Sequence, residues 1–183
     1  LALPPVPDET RAALTALLPP IATVSNPLDY TTPIWGDPTR TGPVFAEAMD
    51  QTRAAAAVLV QDYPAAGLDE SQVYYRNDAG AFIAAAKGRG LPVAVLATLH
   101  ENMDPDTRDW LATQGCAPLL GISEGLGAIR NAIWWGERRD ALAKAAPAPL
   151  LPAITGPLRG LTEAESKSRL AAKGLSIPKS RLT

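Results

Sequence analysis

Residues 91–99 read LPVAVLATL, a run without a charge, set between GRG and HENMD. Apolar residues follow one another here without alternation. That is the mark of a strand whose two faces are both covered, as in a parallel sheet dressed with helices. A second stretch has the same character, AAAAVLVQ at 54–61. Between the two lies DESQVYYRNDAGAFIAAAKG, 69–88, whose apolar residues return at helical spacing. Asp69 is its expected N-cap, and Gly88 and Gly90 end it.

The pattern repeats downstream. DPDTRDWLATQG, 104–115, predicts a helix with Asp104 as cap and Pro105 in the first turn, where a missing N–H costs nothing. CAPLLG, 116–121, is a last short strand, and SEGLGAIRNAIWWGERRDALAKA, 123–145, a long final helix. Upstream, PDETRAALTALL, 7–18, carries Asp8 as expected N-cap and places Leu14, Leu17 and Leu18 on one stripe before Pro19-Pro20 stop it. IATVS, 21–25, reads as a strand that ends at Pro27, because proline offers no ladder donor and pushes Asn26 into an extended shape. A helix is expected from Thr41 through Met49, with Pro43 in its first turn.

Strand and helix alternate throughout, which predicts parallel strands joined by right-handed crossovers in a doubly wound α/β sheet. Such a sheet normally opens on a central strand and its phosphate-side loop, whereas this chain opens on LALPPVPDET. The expectation is therefore that the first strand is missing, and that the domain begins before Leu1 or has the gap filled by a neighbouring segment.

Composition narrows the partners. The chain of 183 residues is 46% apolar, enough to fill a core, with a formal net charge of −2 and a pI of 5.4. No basic field is present to hold a phosphate backbone, so nucleic acid is not an expected partner. Nor does any apolar stretch reach the roughly 18 residues of a membrane span, and no leader opens the sequence; a soluble chain in the cytoplasm is expected. Cys116 is alone and without clustered His or Cys, so it reads as a small buried residue and no metal site is expected.

In open parallel sheets, ligands bind outside the carboxyl ends of the strands, where loops enter helix N-termini. Three loops qualify: Asn26 to Thr32, Gln61 to Asp69, and Thr98 to Asp104. The first is NPLDYTT. Asn26 can donate its amide to a substrate or phosphate oxygen, and Asp29 can orient that amide; the competing reading is an Asx-turn that only shapes the loop. Thr31 and Thr32 offer hydroxyls, or Thr32 closes the turn before Pro33. Tyr63 and Trp35 suit either an apolar pocket wall or core packing. His100, the sole histidine, is either a loop-packing residue or lines a pocket. Trp134-Trp135 adjoin GERRD, so at least one should face outward unless a neighbouring domain covers it.

After residues 1–145, the stretch 146–160, APAPLLPAITGPLRG, reads as a proline-rich linker. From 161 to 183 a new element begins, with Thr162 and Glu165 as a capping box and Leu161 as a staple, or else a terminal helix docks on the first domain.

These segments, in this order, resemble a known family. NPLDYT, following a helix and preceding AAAAVLVQ, is similar to the NP-x-D element of NDP-forming (ADP-forming) acyl-CoA synthetases, relatives of succinyl-CoA synthetase. PVAVLATLHENMD and GCAPLLGISEGLGAI resemble the rest of that family's ligase-type flavodoxin-like domain, and the likeness spans nearly residues 8 to 138. LTEAESKSRLAAKGLSIP is similar to the first helix and turn of its ATP-grasp portion. The resemblance implies an acid–CoA ligase that makes acyl-CoA, ADP and phosphate from a carboxylate, CoA and ATP, through an acyl phosphate and a phosphohistidine.

It further implies CoA, ATP and Mg2+ as cofactors of a full-length homo-oligomeric enzyme, with CoA-binding and ATP-grasp domains as partners. The phosphohistidine sits in a Gly-, Ser- and Thr-rich loop, unlike TLHENMD around His100, so no catalytic or metal-binding residue is expected in this segment and the fragment alone should be inactive. Asn26, Asp29, Thr31, Tyr63 and His100 are the expected substrate- or phosphate-binding residues. DYPAAGLDE departs from the family's Gly-rich substrate-side loop by carrying Tyr63, Pro64 and only Gly67. The rival reading is a non-catalytic, acyl-CoA-sensing module of a protein acetyltransferase. A freestanding flavodoxin-like binding domain is a third, opposed by the lack of a first-strand phosphate loop.

Overall fold

In a computed structural model of the chain, residues 2–51, 54–64, 67, 71–145, 151 and 155–179 are described. They form an α/β structure around an open, three-stranded parallel sheet. The elements are α1 (Asp8–Leu17), α2 (Pro38–Gln51), β1 (Ala57–Val60), α3 (Gln72–Lys87), β2 (Val93–Ala97), α4 (Pro105–Thr113), β3 (Ala117–Leu120), α5 (Ile122–Lys144) and α6 (Glu163–Ala172), with short 3-10 turns at Thr32–Ile34 and His100–Asn102. The chain divides into two units, Leu1–Ala141 and Leu142–Thr183.

The strands lie in the order β1-β2-β3, with Val60 opposite Leu96 and Leu96 opposite Leu119. Side chains alternate across a strand, so the sheet's two faces can be told apart. One face carries Ala57, Leu59, Val93, Val95 and Ala97. It is sealed by Phe45 and Met49 of α2, Ala79, Phe82, Ile83 and Ala86 of α3, and Leu111 of α4. The other face carries Leu96 and Leu119 and meets α5 at Gly125, where an added Cβ would lie 2.2 Å from Leu96 Cδ1. On that face β1 is bare: Val58 and Val60 are 36% and 53% exposed. The apolar run 54–61 therefore has helices over one of its faces, not both.

Three local expectations are corrected. Ile21–Ser25 is not a strand. Its Val24 side chain is buried with Leu14, Leu18, Ile34 and Val44, and its Val24 carbonyl accepts from Arg11 Nη1 at 2.5 Å instead of a neighbouring strand. The following Asn26–Pro27 bond is cis. Second, α1 is preceded by Pro7 as N-cap, and Asp8 sits in the first turn without a side-chain capping bond. There it still complements the helix dipole. Third, α2 starts at Pro38, not Thr41, which leaves Pro43 inside the helix. Asp37 makes this early start possible, because its Oδ1 accepts from both Thr39 N (3.0 Å) and Thr39 Oγ1 (2.6 Å).

Elsewhere the local chemistry reads as the sequence predicts. Asp104 Oδ1 accepts from Thr107 N at 2.9 Å and caps α4, with Pro105 at its start. Gly88 is the C-cap of α3, whereas Asp69 lies outside the described residues. Cys116 is buried, and burial pushes its thiol up to about 11. Both Trp134 and Trp135 are exposed, at 61% and 59%. In the second unit, Thr162 and Glu165 form the capping box of α6. Of the linker 146–160, residues 146–150 and 152–154 lie outside the described residues. No helix among the described residues is long and apolar enough to cross a membrane.

Candidate functional site

The three candidate loops meet different fates. In the first, NPLDYTT, the polar groups bond to the chain itself. Asn26 Nδ2 donates to the Pro4 carbonyl at 2.9 Å, and Asp29 Oδ1 accepts from Thr31 N at 2.9 Å, the two-residue closure of an Asx-turn. Thr31 has φ of 61°, a conformation a β-branched residue rarely adopts, and the Asp29 bond helps hold it there. Tyr30 turns inward and its hydroxyl donates to Asp78 Oδ2 at 3.1 Å.

Asp78, on α3, is the anchor of this region. It has no exposed surface, and besides Tyr30 it accepts from Gly36 N (3.0 Å) and Thr41 Oγ1 (3.0 Å), so one carboxylate ties the loop and α2 to α3. Burial raises its pKa, more than these donors lower it. Burial together with the Asp78 charge raises that of Tyr30. Trp35 packs on Tyr74 and Tyr75, with ring centroids 5.6 and 4.7 Å away. Nothing local marks Asp78, which lies 42 residues from Gly36 in a helix that reads as ordinary amphipathic structure.

The second loop starts at Gln61. Asp62 reaches across to the end of β2, where its carboxylate accepts from Thr98 N (2.7 Å) and Thr98 Oγ1 (2.5 Å). Tyr63 is buried in the main core, close to Tyr75, and its backbone N–H donates to the Asn102 carbonyl. Burial raises its hydroxyl pKa. Gln61 and Tyr63 are alike in one respect: their buried side-chain polar atoms make no hydrogen bond. Residues 65, 66 and 68–70 of this loop, which include part of DYPAAGLDE, lie outside the described residues.

At the third loop the surface opens. Thr98 to Glu101, after β2, and Gly121 to Glu124, where β3 runs into α5, line a hollow of about 330 Å³. It stands at the carboxyl ends of two adjacent parallel strands, where such sheets bind ligands. Gly121 (φ 79°) is what keeps it open: a Cβ there would sit 2.5 Å from Glu124 Oε2 and 3.4 Å from His100 Nε2. His100 is exposed and lines this hollow. Of the expected site residues, then, His100 is at the hollow, Asn26, Asp29 and Thr31 belong to the NPLDYTT turn, and Tyr63 is in the core. The Gly121–Glu124 wall was not singled out as a site from sequence, though a glycine between an apolar strand and a helix start was its available signal.

The lining charges limit what fits. Glu101 and Glu124 are acidic, and among the described residues no Lys or Arg lines the hollow. A bare phosphate would meet repulsion there. Ser123 and His100 offer hydrogen bonds to an uncharged polar group, Thr98 being already bonded to Asp62, and Leu99 and Ile122 offer apolar surface. Among the described residues no group of three or more His, Cys, Asp or Glu is placed to hold a metal ion. No family profile, curated protein or solved structure matches this chain.

Proposed function

We propose that this chain is the flavodoxin-like ligase domain, with the start of an ATP-grasp domain, of an NDP-forming acyl-CoA synthetase, and that its hollow forms one wall of a composite active site. One observation carries this reading: the segments that resemble the family contribute the ends of β2 and β3, and these ends open together on a ligand-sized hollow. In this reading the reaction joins a small carboxylic acid to CoA in the cytoplasm, with formation of ADP and phosphate.

The hollow's chemistry suits an uncharged part of a substrate, such as an amide or thioester portion, better than its phosphates. His100 and Ser123 would hold that portion by hydrogen bonds, and Leu99 and Ile122 would exclude water from it. Mg2+ would neutralise nucleotide phosphates in the ATP-grasp domain, and no residue of this chain is assigned to it.

The test is a coupled assay of the full-length protein with ATP, CoA and a panel of carboxylic acids. CoA thioester formation with ADP is expected. Production of AMP and pyrophosphate would reject the assignment. Acyl-CoA binding without any turnover would favour the sensing module.

A further inference from the structure

A helix that covers a sheet needs to be only as long as the strands beneath it. β2 has five residues, about 17 Å, whereas α5 has 23, about 34 Å. Within α5 only Gly125, set against Leu96, is buried, and every residue from Asn131 to Trp135 is exposed. The later turns thus lack cover, and they carry large apolar side chains. Leu126 is 41% exposed, Ile133 42% and Trp134 61%. Clustered exposure of this kind marks an interaction surface.

The spacing of these residues says what fits. Leu126, Arg130, Ile133, Trp134, Glu137 and Ala141 follow one another at intervals of 4, 3, 1, 3 and 4 residues, which places all six on one face of the helix. That series is the same read from either end. Ile133 and Trp134 form its centre, with Arg130 and Glu137 each about 5 Å along the axis from the midpoint between them. Arg130 and Glu137 make no hydrogen bond or ion pair among the described residues, while the nearby Arg139 is bonded to Asp140.

Two such faces laid antiparallel about a two-fold axis at the midpoint bring Arg130 of one copy to Glu137 of the other, and the reverse, with Leu126 against Ala141 at both ends. A parallel pair would instead set Arg130 against Arg130 and Glu137 against Glu137, which repel. A partner of one charge sign would satisfy one of the two residues and oppose the other. The face is therefore complementary to itself, as a closed two-fold interface requires.

We infer that this face of α5 docks a second copy of the chain, antiparallel, with Ile133 and Trp134 as the apolar centre and two reciprocal Arg130–Glu137 pairs fixing the register. The inference is independent of the ligase reading, because its test reads association and not turnover.

The experiment is sedimentation equilibrium of the full chain and of two charge-reversed variants. The wild-type chain is expected to form a dimer. Arg130→Glu and Glu137→Arg each put like charges opposite one another, and each should raise the dissociation constant about 10-fold or more. Mixing the two variants restores both opposite-charge pairs, as does combining both changes in one chain, so either should return the dimer close to wild-type strength. That recovery also shows that the variants are folded. A monomeric wild-type chain would overturn the inference, and so would variants that weaken the dimer without recovering on mixing, the result expected if another surface or another orientation joins the copies.

Discussion

The NPLDYTT turn and the hollow at the ends of β2 and β3 are both loops with polar residues, yet the molecule uses them in opposite ways. In the turn, Asn26 bonds to Pro4, Asp29 to Thr31 and Tyr30 to Asp78. In the hollow, His100, Ser123 and Glu124 stand at the surface around a glycine that leaves them room. Polar residues bonded within the chain support a shape, whereas those lining open space are available to a ligand. Substitutions in the turn should therefore alter stability, and those in the hollow should alter ligand response.

The largest effect is expected at Asp78. Asp78→Ala leaves the Tyr30 hydroxyl and Gly36 N–H without their acceptor and the Thr41 hydroxyl with only the Asp37 carbonyl, and should lower stability by about 3 kcal/mol or more, read as a reduced urea midpoint. A smaller effect separates charge from shape. Because burial raises the Asp78 pKa, the folded state holds that proton more tightly than the unfolded chain does. Its contribution is thus complete below the ordinary aspartate value of about 3.9 and is lost as pH rises through the folded value. Asp78→Asn should flatten that part of the stability profile; an unchanged slope would show that the carboxylate is not the titrating group.

Gln61 sharpens the contrast from the other side, since its buried amide stands against the Tyr30 hydroxyl but makes no hydrogen bond among the described residues. Gln61→Leu is expected to stabilise the chain by about 1–2 kcal/mol, measured as a higher urea midpoint. Asn26→Ala removes the bond to Pro4 and should cost about 1 kcal/mol; an unchanged midpoint would remove Asn26 from the supporting set. The smallest change in stability belongs to the hollow. Glu124→Gln and His100→Ala should shift the midpoint by less than about 0.5 kcal/mol, and on the proposed ligase reading should alter KM for an acyl-CoA substrate.

Reading the strands from sequence worked where the apolar run was long and bounded, at β1, β2 and β3, and failed at Ile21–Ser25. That stretch has strand composition, but composition does not say whether an edge is available to pair with. Val24 found its burial against α1 and α2, and its carbonyl found Arg11. The capping of α4 and α6 was legible because a cap and its amide partner lie three residues apart. Asp78 was not legible, for its partners are 37 to 48 residues distant. Of the expected site residues, His100 lines the hollow because its loop directly follows a strand, and the wall opposite it comes from the next strand's end.

What the sequence determined by itself is what local chemistry controls: the alternation of strands and helices, the caps of α4 and α6, and the parallel sense of the sheet. Tertiary structure alone decided which polar groups were left over. Val58 and Val60 are as apolar as Val93 and Val95, yet one pair is bare and the other buried. Exposure is a property of what packs against a residue, and hydrogen-bond donors are used up by partners that can lie anywhere along the chain.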